Sequence, residues 1–262
     1  MNICITSSSN YDKYTSILIY MLNERLNKPT LIICFERQKY KVIMHRIKML
    51  RLIRIVKKIF LFLKNSQSNK RDFLKEYALS NNIIGWNLSL SKICKREGIE
   101  YKKVHNINSK NAIKYINEKN IDLLLNAGGA IFKTPIINVI KMGILNAHMG
   151  FLPKFRGINV LEWSLFYNHK IGVTLHFIER GIDLGDILLF REIIIDKEDT
   201  ITTLRAKSQA IDVDLMIECI ELLRYKDIDR IKQLEKDGKQ YFAMHPRLKE
   251  YVEMKLKMIH KK

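Results

Sequence analysis

The sequence predicts an α/β fold, a largely parallel sheet with helices on both faces, and three observations carry that expectation. Short runs of β-branched and aliphatic residues alternate with helical patterns along most of the chain. One apolar run, at residues 121–126, reads as a strand buried on both faces, which is how parallel strands under helices look in sequence. With 262 residues, 47% of them apolar, the chain can bury one full core and a modest extension.

Taken in order, residues 3–6 read as a short buried strand, 14–23 as a helix, and 30–35 as a second strand. A helical stretch follows near 89–96, then a strand at 101–105. Ser109 is placed to cap a helix running to about 118. After the strand at 121–126, Thr134-Pro135 opens a short helix, since proline is tolerated in a first turn. Residues 143–147 give the next strand, 159–167 a helix, and 172–178 and 187–195 two more strands. In the first of these two, Val173, Leu175 and Phe177 alternate with Thr174 and His176, so one face is apolar and the other polar. Asp199-Thr200 caps a long helix to about 225. The remaining tail contains Tyr241-Phe-Ala-Met-His-Pro246 and a basic final helix. The expected division is a domain over 1–205, with a basic helical insertion at 37–71, and a helical C-terminal extension over 206–262. That extension is too small for a second domain of ordinary size.

Composition excludes several classes. The four cysteines, Cys4, Cys34, Cys94 and Cys219, form no C-x-x-C pair, so neither a disulfide framework nor a zinc site is expected. No secretory signal or bilayer-spanning run stands out, which points to the cytoplasm. The formal charge of +19 is concentrated: twelve Lys or Arg and no acid fall between Arg37 and Arg71. Within this stretch Met49, Leu52, Ile53, Val56, Ile59, Phe60 and Leu63 share one helical face, while Arg46, Arg51, Arg54, Lys57, Lys58 and Lys64 share the other. Such a helix suits a solvated core-packed element, or contact of residues 46–64 with an anionic membrane surface, or contact with RNA phosphates.

Chemistry concentrates beyond the carboxyl ends of the strands, where open α/β sheets place their sites. Asn146 and His148 are two apart, so on an extended strand end their side chains point the same way. A carboxamide N–H and a protonated imidazole aimed at one spot form a donor pair for an oxyanion. Asp183, in a loop between Gly181 and Gly185, offers a carboxylate to that imidazole and a route for a proton through water. This combination suits addition to a carbonyl by an acceptor amine, because no Ser or Cys nucleophile stands out. Each piece alone has a plainer explanation, a turn Asp or a satisfied surface pair, and His176 reads as a packed strand histidine rather than a catalyst.

The motifs Gly128-Gly-Ala-Ile-Phe132, Thr134-Pro135, Gly143-Ile-Leu-Asn-Ala-His148, Leu152-Pro-Lys-Phe-Arg-Gly157, Gly172-Val-Thr-Leu-His176 and Asp183-Leu-Gly185 occur in order. Through them the chain resembles the 10-formyltetrahydrofolate-dependent formyltransferase family, sugar N-formyltransferases and the methionyl-tRNA formyltransferase catalytic domain among them. The resemblance implies a Rossmann-like sheet and 10-formyltetrahydrofolate as formyl donor, used through a tetrahedral intermediate. It implies Asn146, His148 and Asp183 as the catalytic Asn, His and Asp. It further implies that Gly129, Ala130, Ile131 and Phe132, with Arg180, Gly181 and Ile182, form the walls for the folate pterin, largely through backbone groups. A missing G-x-G-x-x-G fits, since a pterin brings no pyrophosphate to a helix N-terminus.

The acceptor expected from the resemblance is a small, anionic amine, an amino sugar on a nucleotide destined for cell-surface polysaccharide, with Arg156 as the candidate to hold its phosphate. Two alternatives stand beside it: methionyl-tRNA formylation, and hydrolysis of formyltetrahydrofolate. Relatives that formylate tRNA carry a further β-rich C-terminal domain, whereas the tail here reads as short and helical, so nucleic acid is the less favoured partner. The residues around His148, Ala147 and Met149-Gly150, depart from the commoner small polar choices, which bears on the acceptor side of the cleft. The oligomeric state is left open.

Overall fold

The computed structural model describes residues 1–26, 28–35, 71–225 and 228–259. Most of the basic insertion, including the amphipathic pattern at 46–64, lies outside the described residues. In chain order the elements are β1 (Ile3–Ser7), α1 (Lys13–Arg25), β2 (Leu31–Phe35), α2 (Phe73–Ser80), α3 (Leu90–Glu97), β3 (Glu100–Val104), α4 (Lys110–Glu118), β4 (Leu123–Asn126), α5 (Thr134–Ile137) and β5 (Gly143–His148). There follow β6 (Phe155–Gly157), α6 (Val160–Phe166), β7 (Gly172–Phe177), β8 (Ile187–Glu192), α7 (Ile201–Tyr225), a 3₁₀ turn at Glu235–Asp237, β9 (Lys239–Tyr241) and α8 (Pro246–Ile259).

Seven strands form one sheet in the order β3-β2-β1-β4-β5-β7-β8. The pairings β2–β3, β1–β2, β1–β4 and β4–β5 are parallel; β5–β7 and β7–β8 are antiparallel. The chain winds one way from β1 to β3 and the other way from β4, so the crevice at this switch lies beyond the carboxyl ends of β1, β4 and β5. Those ends carry Ser7, Asn126 and His148.

Alternation along each strand splits the core into two layers. Ile3 and Ile5 of β1 join Ile17, Leu18, Leu22, Ile93, Leu204 and Ile220 on one side, under α1, α3 and α7. Cys4 joins Ile33, Ala112, Ile116 and Ile136 on the other, under α4 and α5. All five residues of β1 and all five of β2 are buried, which explains the continuous apolar character of β2 in sequence.

The largely parallel, two-faced sheet is as expected, with element ends agreeing to within a few residues. Ser109 does cap its helix, its hydroxyl accepting from the Ala112 N–H at 3.3 Å. Sequence reading missed α2, whose N-terminus is capped by Asp72 accepting from the Lys75 N–H at 3.0 Å, and it missed the small parallel sheet β6–β9. The boundary expected between 205 and 206 falls inside α7. That helix packs on the sheet at both ends, with Ile201 and Leu204 buried like Ile220 and Leu223. The tail beyond it is not wholly helical, because β9 pairs in register with β6: Phe155 with Lys239, Arg156 with Gln240, Gly157 with Tyr241. Among the described residues no helix is long and apolar enough to cross a membrane, and no cluster of His, Cys, Asp or Glu could hold a metal ion.

Candidate functional site

A cleft of about 890 Å³ opens at the carboxyl ends of β4 and β5. Its walls are the loop 129–135, the loop 178–183, Gly157-Ile158, and Gln240-Tyr241-Phe242 of the tail, with Asn126, Asn146, His148 and His176 at the strand ends. The volume is in the range of ligand pockets.

The strand register sets the order of groups inside it. On β5, Asn146 lies opposite His176 of β7 and His148 opposite Thr174. Asn146 Nδ2 stands 3.1 Å from His176 Nε2, and His176 Nδ1 lies 2.7 Å from the Phe177 carbonyl oxygen. A carbonyl only accepts, so the His176 proton sits on Nδ1 and Nε2 receives one Asn146 hydrogen. On the other side Asn126 Nδ2 donates to Asn146 Oδ1 at 2.9 Å. The Asn146 carboxamide is thereby clamped at its oxygen and at one hydrogen, and its second N–H has no hydrogen-bond partner among the described residues. His176 is almost fully buried, and burial holds its pKa down to about 4; neighbouring His148 adds to the depression, while Asp183 and the Phe177 carbonyl oppose it. It stays neutral at physiological pH, as its role of acceptor requires. The same Asn126 side chain accepts from the Ala130 N–H at 3.0 Å and donates to the Ala130 carbonyl at 3.3 Å, fixing the 129–132 wall to the strand end.

His148 is 6% exposed. Its Nε2 donates to the Phe155 carbonyl at 2.7 Å, and its Nδ1 lies 3.4 Å from Asp183 Oδ2. The Phe155 carbonyl can only accept, so Nε2 carries a hydrogen, and the ring is turned with Nδ1 toward the carboxylate. Asp183 reaches this position from a turn in which it adopts a left-handed backbone conformation, φ +52°. Its Oδ2 also accepts the Gly157 N–H at 2.8 Å, and its Oδ1 lies 3.7 Å from His176 Nε2. Gly185 allows the turn to close against β7: a Cβ there would stand 2.0 Å from the Phe177 carbonyl oxygen. Thr174 holds the segment after His148, donating to the Gly150 carbonyl at 2.6 Å while its hydroxyl accepts from the Leu152 N–H at 3.3 Å.

The structure thus brings Asn146, His148 and Asp183 together, with Gly129, Ala130, Ile131, Phe132, Arg180, Gly181 and Ile182 in the cleft walls. Arg156 is the exception. Its side chain is buried, 4% exposed, and lies outside the cleft lining. Nη2 donates to the carbonyls of Glu235 and Gly238 at 2.8 and 2.9 Å. It fastens the tail against β6, so the expectation that it holds an acceptor phosphate is corrected: strand pairing turns its guanidinium into the protein. Sequence reasoning missed Asn126 and the tail residues Gln240, Tyr241 and Phe242. An asparagine ending an apolar strand was a legible signal for the first; Tyr241 and Phe242 stood out in sequence as the start of the Tyr241-Phe-Ala-Met-His-Pro246 motif without being assigned to the site, and nothing local marked Gln240.

Comparisons with known proteins bear on the family and the fold. The family model described as formyl transferase matches residues 69–220. A curated relative from Thermodesulfovibrio yellowstonii, named methionyl-tRNA formyltransferase, is 34% identical over 137 residues, which cover 52% of this chain and 44% of that protein. The chain therefore spans about half the length of this relative. Among solved structures, a sugar N-formyltransferase from a Shewanella species is 16% identical, covers 98% of this chain and 87% of its own, and superposes with a TM-score of 0.58. Glycinamide ribonucleotide transformylase 1 from Symbiobacterium toebii is 18% identical, covers 86% and 88%, and gives 0.57. At these identities the two structures speak for the fold.

Proposed function

This chain belongs to the formyl transferase family, and from that premise we propose that it carries a formyl group from 10-formyltetrahydrofolate to a primary amine. The observation that carries this reading is the convergence of Asn146, His148 and Asp183 on one cleft. The residues present suit the donor: the segments 129–132 and 180–182 line the cleft with backbone and apolar groups, and Asn126 pins the first of them. When bound, the folate supplies a formyl carbon already activated on nitrogen.

The second Asn146 N–H is the donor for the formyl oxygen as the amine adds to its carbon and negative charge builds there, and His148 Nδ1 becomes a second donor once it carries the proton relayed through Asp183. The Asp183 carboxylate takes the proton that the attacking nitrogen sheds and passes it toward His148 Nδ1. His148 returns a proton to the folate nitrogen as the bond from that nitrogen to the formyl carbon breaks, which leaves a formamide and tetrahydrofolate. His176 and Asn126 hold the carboxamide so that no reorganisation is needed at the moment of transfer.

For the acceptor we favour an amino sugar carried on a nucleotide. The tail places Gln240, Tyr241 and Phe242 beside Gly157 and Ile158 as one wall of the cleft, a surface suited to a small polar molecule with an aromatic base. The names of the curated relatives support methionyl-tRNA as the second reading. Purified protein incubated with 10-formyltetrahydrofolate and, in turn, nucleotide-linked amino sugars, methionyl-tRNA and buffer alone separates the cases. Formamide on the sugar supports the first reading and formylated tRNA the second. Formate released equally in every arm means hydrolysis, and an unchanged donor in all arms removes formyl transfer altogether.

A further inference from the structure

The turn that presents Asp183 has little internal support. It lies between β7 and β8 without regular structure, holds an aspartate at φ +52° and has Gly181 at φ +105°. A non-glycine residue in the left-handed region costs about 1–2 kcal/mol, so the surrounding structure must hold it. Part of that hold comes from the Gly157 N–H on the carboxylate. The rest comes from a distant segment: Gln233 Nε2 donates to the carbonyl of Asp183 itself at 3.2 Å and to that of Gly185 at 2.5 Å. Both carbonyls belong to the turn, and both can only accept, so the donor orientation of the Gln233 amide is assigned by its partners.

Gln233 is itself anchored on both sides. Before it, Ile231 and Ile187 exchange two backbone hydrogen bonds of 2.9 Å. After it, the Leu234 N–H donates to Asp237 at 2.8 Å, and buried Arg156 grips the carbonyls of Glu235 and Gly238. The tail from 231 to 241 is thus a strap from which the Gln233 amide reaches the turn carrying the carboxylate. In a left-handed turn, swinging the Asp183 carbonyl also swings its Cα–Cβ bond. Tying that carbonyl and the one two residues on therefore fixes the direction of the carboxylate toward His148 and the Gly157 N–H.

We propose that Gln233 is a positioning residue for Asp183, through which the C-terminal strap sets the geometry of the proton-accepting carboxylate. Its catalytic consequence rests on the formyl-transfer reading; its structural content does not. The test uses the full chain and Gln233→Met, which keeps length but donates nothing. Exchange of the Gly157 amide proton, whose bond to Asp183 depends on the turn, is to rise at least about tenfold, while that of Ile5 in β1 stays unchanged. Turnover is to fall about tenfold with KM for the folate within twofold. Gln233→Lys, which retains a donor of similar reach, is to recover most of both losses. Unchanged Gly157 exchange would overturn the proposal, as would a lysine variant no better than methionine, or a loss in which turnover, KM and core exchange shift together. Because Gly157 exchange is read without any substrate, a wild-type protein lacking formyl transfer would sink the proposed function and still leave this question answered.

Discussion

The clamp on Asn146 requires a neutral His176, and this makes acid stability a direct probe of the site. A histidine whose pKa drops from 6.5 in a model environment to about 4 in the fold binds a proton more readily when the chain unfolds. Stability is then complete above the unfolded value and falls as the pH drops from about 6.5 toward 4. Linkage with these two values gives a loss on the order of 2 kcal/mol between pH 7 and pH 5, growing further toward pH 4.5. The perturbation is His176→Gln, which keeps a neutral acceptor for Asn146 but does not titrate. Urea unfolding of both proteins at pH 7, 5 and 4.5 cancels the contributions of other groups to first order. The wild type is expected to lose ground to the variant by about those amounts. A wild-type-minus-variant difference that stays flat between pH 7 and 4.5 would mean that His176 is charged or solvated in the fold, and the assignment of the Asn146 amide would fall with it.

Asn146→Ala and Asp183→Ala should each lower turnover at least about a hundredfold while folate affinity is largely kept; turnover near normal in either variant removes that residue from its role. Gly157→Ala should destabilise by at least about 2 kcal/mol, because φ is +99° and the new Cβ would stand 2.2 Å from the Tyr241 carbonyl oxygen. A chemical denaturation midpoint equal to wild type would contradict the β6–β9 register. Glu162 is 2% exposed and bonds Arg205 Nη2 at 2.5 Å and Asn159 Nδ2 at 3.0 Å. Since Arg205 is partly in solvent, Glu162→Ala should cost about 1–3 kcal/mol rather than the full penalty of a fully buried pair, read from the same denaturation curves.

Much of the sheet was legible because its signals are local. Strands buried on both faces, such as Leu31–Phe35, must be apolar throughout, and Ser109 announces a helix start by its own chemistry. The short β6 and β9 carried no such signal. Three residues fall below any pattern threshold, and their pairing joins segments some eighty positions apart. Asn146 and His148 were readable as a pair because a strand repeats every two residues, whereas Arg156 was misjudged. A basic residue beside a glycine looks solvent-facing until the tail is seen to fold over it.

By itself, then, the chain determined the alternation of strands and helices, the strand ends at which side chains collect, and the identities of the amide, imidazole and carboxylate, because each depends on neighbours within a few residues. Only the tertiary structure decided which hydrogens those groups share. The neutral state of His176, the clamp by Asn126, the grip of Arg156 on the tail and the tie from Gln233 to the Asp183 turn all depend on packing between segments remote in sequence. Burial and hydrogen-bond partnership are properties of that packing and have no local signature.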